Sequence, residues 1–374
     1  MNIIVKELPA AELTAFIDFP YRLFADHPFW VGELKSDTKK LLSSGHPFWR
    51  HAEAKLFMAF EETGAGPRSL GRIAAIINSR HNAFHNEKCG FFGFFDCEDN
   101  EQAAGALFEA ACRWLKEKGM DLARGPVNPS TNETCGMLVE GFDSPPMIMM
   151  PYNPPYYAKL SEAAGFMKAK DLYAWRCPAT ADFPERLEKI AARATRGLDV
   201  SIEPVDIKNI DASMGELKEI YNSAWEKNWG FVPMTDEELN DMAAALKPVL
   251  RPGCLSFARV GGKAAGFSLL LPNLNTALRR ARGSLNALNI LPFLWSMKFS
   301  VTSGRLIALG VTGEFRNRGL EILLTRYSAA AAKKMGWEFG ELSWTLEDND
   351  SINTVIAAAG GVIYKKYRIY EKPL

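Results

Sequence analysis

The chain has 374 residues, enough for two domains and a sizeable core, and its 47% hydrophobic and 24% charged content is that of a globular protein. Lys+Arg and Asp+Glu balance at 44 each, so no global field favours nucleic acid or an anionic membrane. The six cysteines show no metal spacing, and reduced thiols in a cytoplasmic protein are the simplest account of them.

The opening residues, MNIIVKEL, read as a strand and not as a charged-then-apolar leader. Leu13–Phe24 carries apolar residues at helical spacing, and Pro28-Phe29-Trp30 and Pro47-Phe48-Trp49 read as loop anchors around a Lys-rich helical stretch. Ala54–Glu61 and Ser69–Asn78 are expected strands joined by a TGAGPR turn. Ser79–Lys88 is polar. His81 and His85 have ligand spacing there, but a solvated loop is expected in preference to a metal site, and no metal is expected elsewhere. Cys89–Phe95 reads as a buried strand. Asn100 suits the N-cap of a Glu101–Lys118 helix that Gly119 ends. Met120–Val127 is the next strand and 128–155 a long Pro/Gly-rich crossing. A Tyr156–Ala164 helix and a Phe166–Arg176 strand close the first half.

Cys177–Thr180 begins a linker, followed by a charged helix over Phe183–Ala194. Asp199–Glu203 restarts the pattern as a strand. Helices follow over Asp211–Lys227 and Thr235–Leu250, the second opened by a capping box of Thr235 and Glu238. Cys254–Val260 and Ala264–Leu271 flank a Gly261-Gly262-Lys263 hairpin turn. Pro272–Ser303 is a long excursion with a basic cluster at Arg279, Arg280 and Arg282. Its apolar Leu285–Ser300 stretch contains Pro292 and Lys298 and is too short to span a bilayer. Strand 305–311, the turn GEFRNRG, helix 319–335, strand Glu338–Thr345, helix Ser351–Ala359 and a closing strand pair over Val362–Tyr370 complete the chain. The two halves run in the same element order, which points to an internal duplication.

The stretch Arg305–Met335 is the most informative. A strand that enters a helix through a Gly/Arg-rich turn leaves free backbone N–H groups at a positive helix terminus, a ready anion site. Gly319 allows close backbone approach, and Arg316 and Arg318 would add charge-assisted bonds.

This element order and these motifs resemble the Gcn5-related N-acetyltransferase (GNAT) superfamily, and the whole chain is similar to bacterial two-domain GNAT-like proteins. The family motif Arg/Gln-x-x-Gly-x-Gly/Ala falls on Arg316-Asn317-Arg318-Gly319-Leu320-Glu321, with Glu321 in place of the small residue. The resemblance implies an α/β (α+β) tandem duplicated GNAT fold, with mixed central sheets flanked by helices. It implies a degenerate first domain over 1–178, a linker helix over 179–198 and a GNAT domain over 199–374. It implies an acyl-CoA-dependent N-acyltransferase, with acetyl-CoA or a longer acyl-CoA held on the second domain by Arg316, Asn317, Arg318, Gly319 and Leu320. Asn349 matches the residue that contacts the pantetheine arm. Strand amides around Leu309 to Val311 would polarise the thioester carbonyl.

Direct attack of an amine on a thioester also needs a base and an acid for the departing thiolate. Glu314 and Glu341 are the candidate bases. Ile356 stands where the family often has its acid, so Tyr364 and Tyr367 are the remaining candidates. Tyr221, Trp225 and Trp229 recur at helical spacing and, with Asn228, are candidates for the acceptor pocket. The expected acceptor is a small amine or amino-acid-like molecule, with no nucleic acid partner. Aminoacyl or long-chain acyl transfer by a tandem GNAT protein, and an inactive GNAT-fold binding protein, are the alternatives. The turn after the first-half strand Cys89–Phe95 carries Asp96, Glu98 and Asp99, and phosphate binding is not expected there.

Overall fold

The computed structural model describes residues 2–64, 66–226 and 228–374. They form two compact units. One runs to Leu172 and adds Asn275–Ser296 and Lys365–Leu374; the other comprises Tyr173–Leu274 and Met297–Tyr364. Both units are therefore discontinuous in sequence, and the Glu185–Ala194 helix belongs to the second.

In the first unit, strands Ile3–Glu7, Ala52–Thr63, Gly66–Asn78 and Cys89–Cys97 pair antiparallel in that order. Leu122–Gly125 then pairs parallel with the last of them. The next strand is supplied by the C-terminal end of the chain, where Tyr370–Pro373 runs antiparallel to Leu122–Gly125. The Glu101–Glu117 helix covers one face through Ala104, Leu107, Phe108, Ala111 and Leu115, and Asn100 accepts from the Ala103 amide as its N-cap.

The second unit repeats the scheme. Val200–Pro204, Leu255–Val260, Lys263–Pro272 and Ser303–Val311 pair antiparallel in order, and Phe339–Leu346 joins parallel to the last. The neighbouring strand is again borrowed, here from Met167–Pro178 of the first half. The Gly261-Gly262 turn has positive φ at both positions, as a tight hairpin with right-handed strand twist requires. Thr235 and Glu238 form the capping box that opens Asp236–Leu246. The expected tandem α/β architecture is present.

Several local expectations are corrected. Ser79–His85 is a helix, not a solvated loop: Asn78 caps it, and His81 is buried at 3% exposure against the Phe91 ring. The 128–155 crossing contains short strands at Thr134–Cys135 and Met137–Glu140. The excursion after Pro272 holds helices at Asn275–Ala281 and Ile290–Phe299. The helix expected over Asp211–Lys227 is α-helical only over Met214–Trp225, after a short 3-10 stretch, and Lys227 lies outside the described residues. Trp229 thus does not share a helical face with Tyr221 and Trp225.

Candidate functional site

Along Phe339–Leu346, side chains alternate between the two faces of the sheet. Leu342 joins Leu270, Leu306, Ala332 and Trp337 in the core under the Leu320–Lys334 helix. Glu341 and Ser343 point the other way. Glu341 is wholly buried, at 0% exposure. A buried carboxylate is costly unless it is paired and hydrogen-bonded, and this one is both. It accepts from the Ser343 hydroxyl and from the Tyr364 phenol. Arg305, its register partner on the adjoining parallel strand, has its Nε 3.8 Å from the carboxylate and donates to Ser343 Oγ at 2.7 Å. Tyr364 is only part-buried, so it is the member of this group that a substrate can touch.

The backbone beside this group is opened in a particular way. Parallel pairing between Ser303–Val311 and Phe339–Leu346 ends at Leu306 and Leu342. The pairing of Ser303–Val311 with its other neighbour shifts register between Leu269 and Leu270, leaving Ile307 as an extra residue. A bulge bends a strand and increases its twist, which here accounts for the two parallel strands separating just beyond it. Leu309 and Val311 lie on this separated stretch, where the expected carbonyl-polarising amides were placed. A small cavity of about 70 Å³ opens near the same point, lined by Leu270, Leu306, Thr325, Ser328, Glu341 and Leu342 among others.

The first unit shows the same device, and it is filled. Parallel pairing of Cys89–Cys97 with Leu122–Gly125 ends at Phe91, and a register shift follows between Arg72 and Ala74. The Phe94 amide at that bulge donates to Asn128 Oδ1 at 2.6 Å, and a Cβ on Gly93 would collide with the Val127 carbonyl oxygen. Asp96 in the acidic turn is paired with Arg72 at 2.7 Å and accepts from the Tyr157 phenol. The Phe94 amide and the Asp96 charge of this copy are thus satisfied by its own chain.

The loop before the Leu320–Lys334 helix has the backbone of an anion turn, with Asn317 and Gly319 both at positive φ and no side chain capping the helix. Two of its polar groups, the Asn317 amide and the Arg316 guanidinium, are engaged internally. Glu321 Oε1 accepts from the Asn317 amide at 3.3 Å, so a carboxylate stands where a phosphate oxygen was expected. Arg316 donates to the Ser223 and Ala224 carbonyls at 2.8 and 2.7 Å and so caps the C-terminus of the Met214–Trp225 helix. Arg318 is exposed, and Leu320 is buried in the core.

The Glu185–Ala194 helix lies against this loop. Ala191 and Ala194 back Gly319, where a Cβ would come within 3.0 Å of the Ala194 methyl. Leu187 and Ala191 pack on Ile322 and Leu323 of the Leu320–Lys334 helix and on Val355 and Ala359 at the Asp350–Ala358 helix. Glu188 and Asp182 reach Arg326 at 3.5 Å and Lys333 at 3.0 Å. The segment therefore runs along the groove between those two helices, whose N-termini carry the Asn317–Gly319 turn and Asn349. Asn349 itself is the N-cap of Asp350–Ala358 and accepts from the Ile352 amide at 3.4 Å.

The other expected site residues are dispersed. Glu314 is exposed and faces Lys263 at 3.8 Å, away from the buried carboxylate. Tyr367 is buried in the first unit against Gly136, so of the two tyrosines only Tyr364 meets Glu341. Tyr221 and Trp225 are part-buried, with ring centroids 4.9 Å apart in a tilted pair, and pack against the core cluster of Phe267 and Leu217. Asn228 and Trp229 follow the helix end and are part-buried. Arg305 and Ser343 were not anticipated. The available signal was a charged residue in each of two apolar strands destined to be neighbours.

No family model matches the chain. Over 383 aligned residues it is 37% identical to the bacterial ceramide synthase of Caulobacter vibrioides, covering 100% of this chain and 98% of that protein. The chain belongs to this ceramide synthase family. Protein YghO of Escherichia coli is 34% identical over 371 residues, spanning 97% of this chain and 93% of YghO. Among solved structures, a tandem GNAT protein from the clavulanic acid biosynthesis pathway matches 100% of this chain and 98% of its own, with a TM-score of 0.56 at 11% identity. The ceramide synthase family member described here therefore has the tandem GNAT fold, and an acyltransferase-type function is supported.

Proposed function

We propose that the protein is an N-acyltransferase that moves a long acyl group from an acyl-CoA thioester to the primary amine of a long-chain lipid base. The observation that carries this reading is the hydrogen bond between part-buried Tyr364 and fully buried Glu341 beside a splayed strand edge. The relative's name supplies the product class, an N-acylated lipid amine.

In the proposed reaction the amine nitrogen attacks the thioester carbonyl, a C–N bond forms and the C–S bond breaks. The carbonyl oxygen takes up charge next to the separated Ile307–Val311 backbone. The amine proton passes to Glu341 by way of Tyr364, and the phenol returns a proton to the departing thiolate. Glu341 acts through Tyr364 and is a positioning residue and proton reservoir. Arg305 and Ser343 hold its carboxylate in place. On the acceptor side we assign Asn228 and Trp229, which follow the helix end, whereas Tyr221 and Trp225 pack against the core cluster of Phe267 and Leu217.

The phosphates of acyl-CoA would sit on the Asn317–Gly319 amides and the pantetheine arm would pass Asn349. The Glu321 carboxylate accepts from the Asn317 amide and the Glu185–Ala194 helix packs against Gly319, so binding on this route requires the carboxylate to turn away and the helix to leave its groove.

The test is incubation of the purified protein with long-chain acyl-CoA and a sphingoid base, reading thiol release together with the amide by mass spectrometry. Stoichiometric thiol and amide are expected. Folded protein that yields neither, across a series of acyl chain lengths, overturns the reading.

A further inference from the structure

Residues 284–299 form the most exposed apolar surface among the described residues. Leu288 is 89% and Leu291 72% exposed, and Leu285, Leu294, Trp295 and Phe299 are also large, apolar and exposed. On the Ile290–Phe299 helix the outward residues Leu291, Leu294 and Trp295 share a face, while Phe293 and Ser296 turn inward. A contiguous apolar surface of this kind marks an interaction site.

The tip is built to stay rigid while it is exposed. Asn286 Oδ1 accepts from the Leu288 amide at 2.9 Å and the Asn289 amide at 3.2 Å. Asn289 Oδ1 accepts from the Asn286 amide at 2.8 Å, and its Nδ2 donates to the Ala281 and Ser284 carbonyls. Polar backbone in this turn is thus satisfied by the turn's own side chains, which a segment entering an apolar medium requires. The base of the excursion is fixed in the first unit. Asn275 donates to the Pro146 carbonyl at 2.6 Å, and the Lys35 amide donates to the Gly283 carbonyl at 2.7 Å.

Charge identifies what covers this surface. Arg279, Arg280 and Arg282 precede the tip and Lys298 follows it, and the chain holds no Asp or Glu between Asp241 and Glu314. Arg280 lies over the Trp295 ring at 5.6 Å, so a cation and an interfacial aromatic are placed together. A second copy meeting this patch face to face would set arginine against arginine. An anionic lipid surface satisfies both the apolar side chains and the cations. The Ile290–Phe299 helix, at about 1.5 Å per residue, reaches only about half of a hydrocarbon core, so it lies in the surface and does not cross it.

We propose that residues 284–299 dock the protein on an anionic lipid bilayer, with Leu288, Leu291, Leu294 and Trp295 among the acyl chains and the arginines at the headgroups. This deepens the reading of a lipid amine as acceptor, because it puts the protein on the phase that holds such a substrate. Binding is measured without substrate or turnover, so either reading can fail alone.

The experiment is flotation of the full chain with phosphatidylcholine vesicles with or without phosphatidylglycerol. The protein is expected to float with the anionic vesicles and to be released by salt. Leu288→Glu combined with Leu291→Glu, both at exposed positions, should cut the bound fraction by at least about tenfold. Arg279→Gln with Arg280→Gln should weaken binding to the anionic vesicles specifically. Absence of flotation, equal flotation of the double-Glu protein, or a solution dimer dispersed by that variant in place of vesicle binding each overturns the proposal.

Discussion

The Tyr364 phenol donates to the Glu341 carboxylate, and the two differ in access: Glu341 is sealed in the sheet while Tyr364 reaches the surface of its unit. A proton can move between them without either side chain moving far. In the proposed reaction this separates a group that meets substrate from a group that sets its proton affinity, which single substitutions can tell apart.

Tyr364→Phe removes the hydroxyl and leaves Glu341 with Ser343 and Arg305. The expected outcome is a fall in kcat of about a hundredfold or more with KM little changed. Glu341→Gln should lower kcat too and shift the pH profile, because it changes the phenol's partner without taking away the group that touches substrate. Steady-state kinetics and the melting temperature of each variant check this. A Tyr364→Phe protein with unimpaired kcat would sink the assignment.

Glu321→Gln removes the charge that stands against the Asn317 amide. Removing an anion from an anion turn should tighten acyl-CoA binding, by about three- to tenfold if one unit charge contributes on the order of 1 kcal/mol there. Arg316→Ala should act differently. It deprives the Ser223 and Ala224 carbonyls of their donor and should cost about 1–3 kcal/mol of stability. Calorimetric titration with acyl-CoA and a denaturant melt separate the two effects; weaker binding by Glu321→Gln counts against the loop as a phosphate site.

Element order was legible in the chain because it rests on local signals. The 3.6-residue periodicity, the Asn100 and Thr235 caps and the Gly261-Gly262 turn each act within a few residues. What escaped is long-range. Tyr370–Pro373 pairs with Leu122–Gly125 across most of the chain, and no local pattern encodes such a partner. Ser79–His85 looked like a loop because its composition is polar, yet the Asn78 cap and one buried ring suffice to seat it. In the site, residue types pointed to Glu341 and Tyr364 separately, and only the sheet register brings Arg305 opposite Glu341. The Glu185–Ala194 helix read as a linker because its charged face dominates, and the two small contacts that dock it, Leu187 and Ala191, are easily overlooked.

Leu187→Ala tests whether that helix covers the acyl-donor groove. Leu187 is buried against Ile322 and its neighbours, and its truncation should cost about 2–4 kcal/mol of local packing. If the helix must leave for acyl-CoA to enter, weakening its hold favours the open form, so apparent affinity should rise while the melting temperature falls. Hydrogen exchange across 185–194 should quicken on acyl-CoA addition. A Leu187→Ala protein that binds acyl-CoA less well, or unchanged exchange with bound donor, would exclude the covering role.

His81 gives a pH prediction with a definite sign. Burial pushes its pKa down from 6.5 to about 4 and outweighs the hydrogen bond to Glu87 at 2.5 Å, which favours the charged ring. The nearby charges of His85 and Arg124 act in the same direction as burial. In the unfolded chain the imidazole takes up a proton near its ordinary value. Between these two pKa values the unfolded state binds more protons than the native one, so stability is full above about 6.5 and is lost as the pH falls towards 4. The contribution of this one group over that window is about 3 kcal/mol, since each tenfold change in proton affinity is worth about 1.4 kcal/mol. His81→Gln keeps a neutral polar group without the titration. Urea melts from pH 7 to 4 should show the wild-type protein losing stability more steeply than the variant by about that amount, and parallel curves would show that the fold does not depress the His81 pKa.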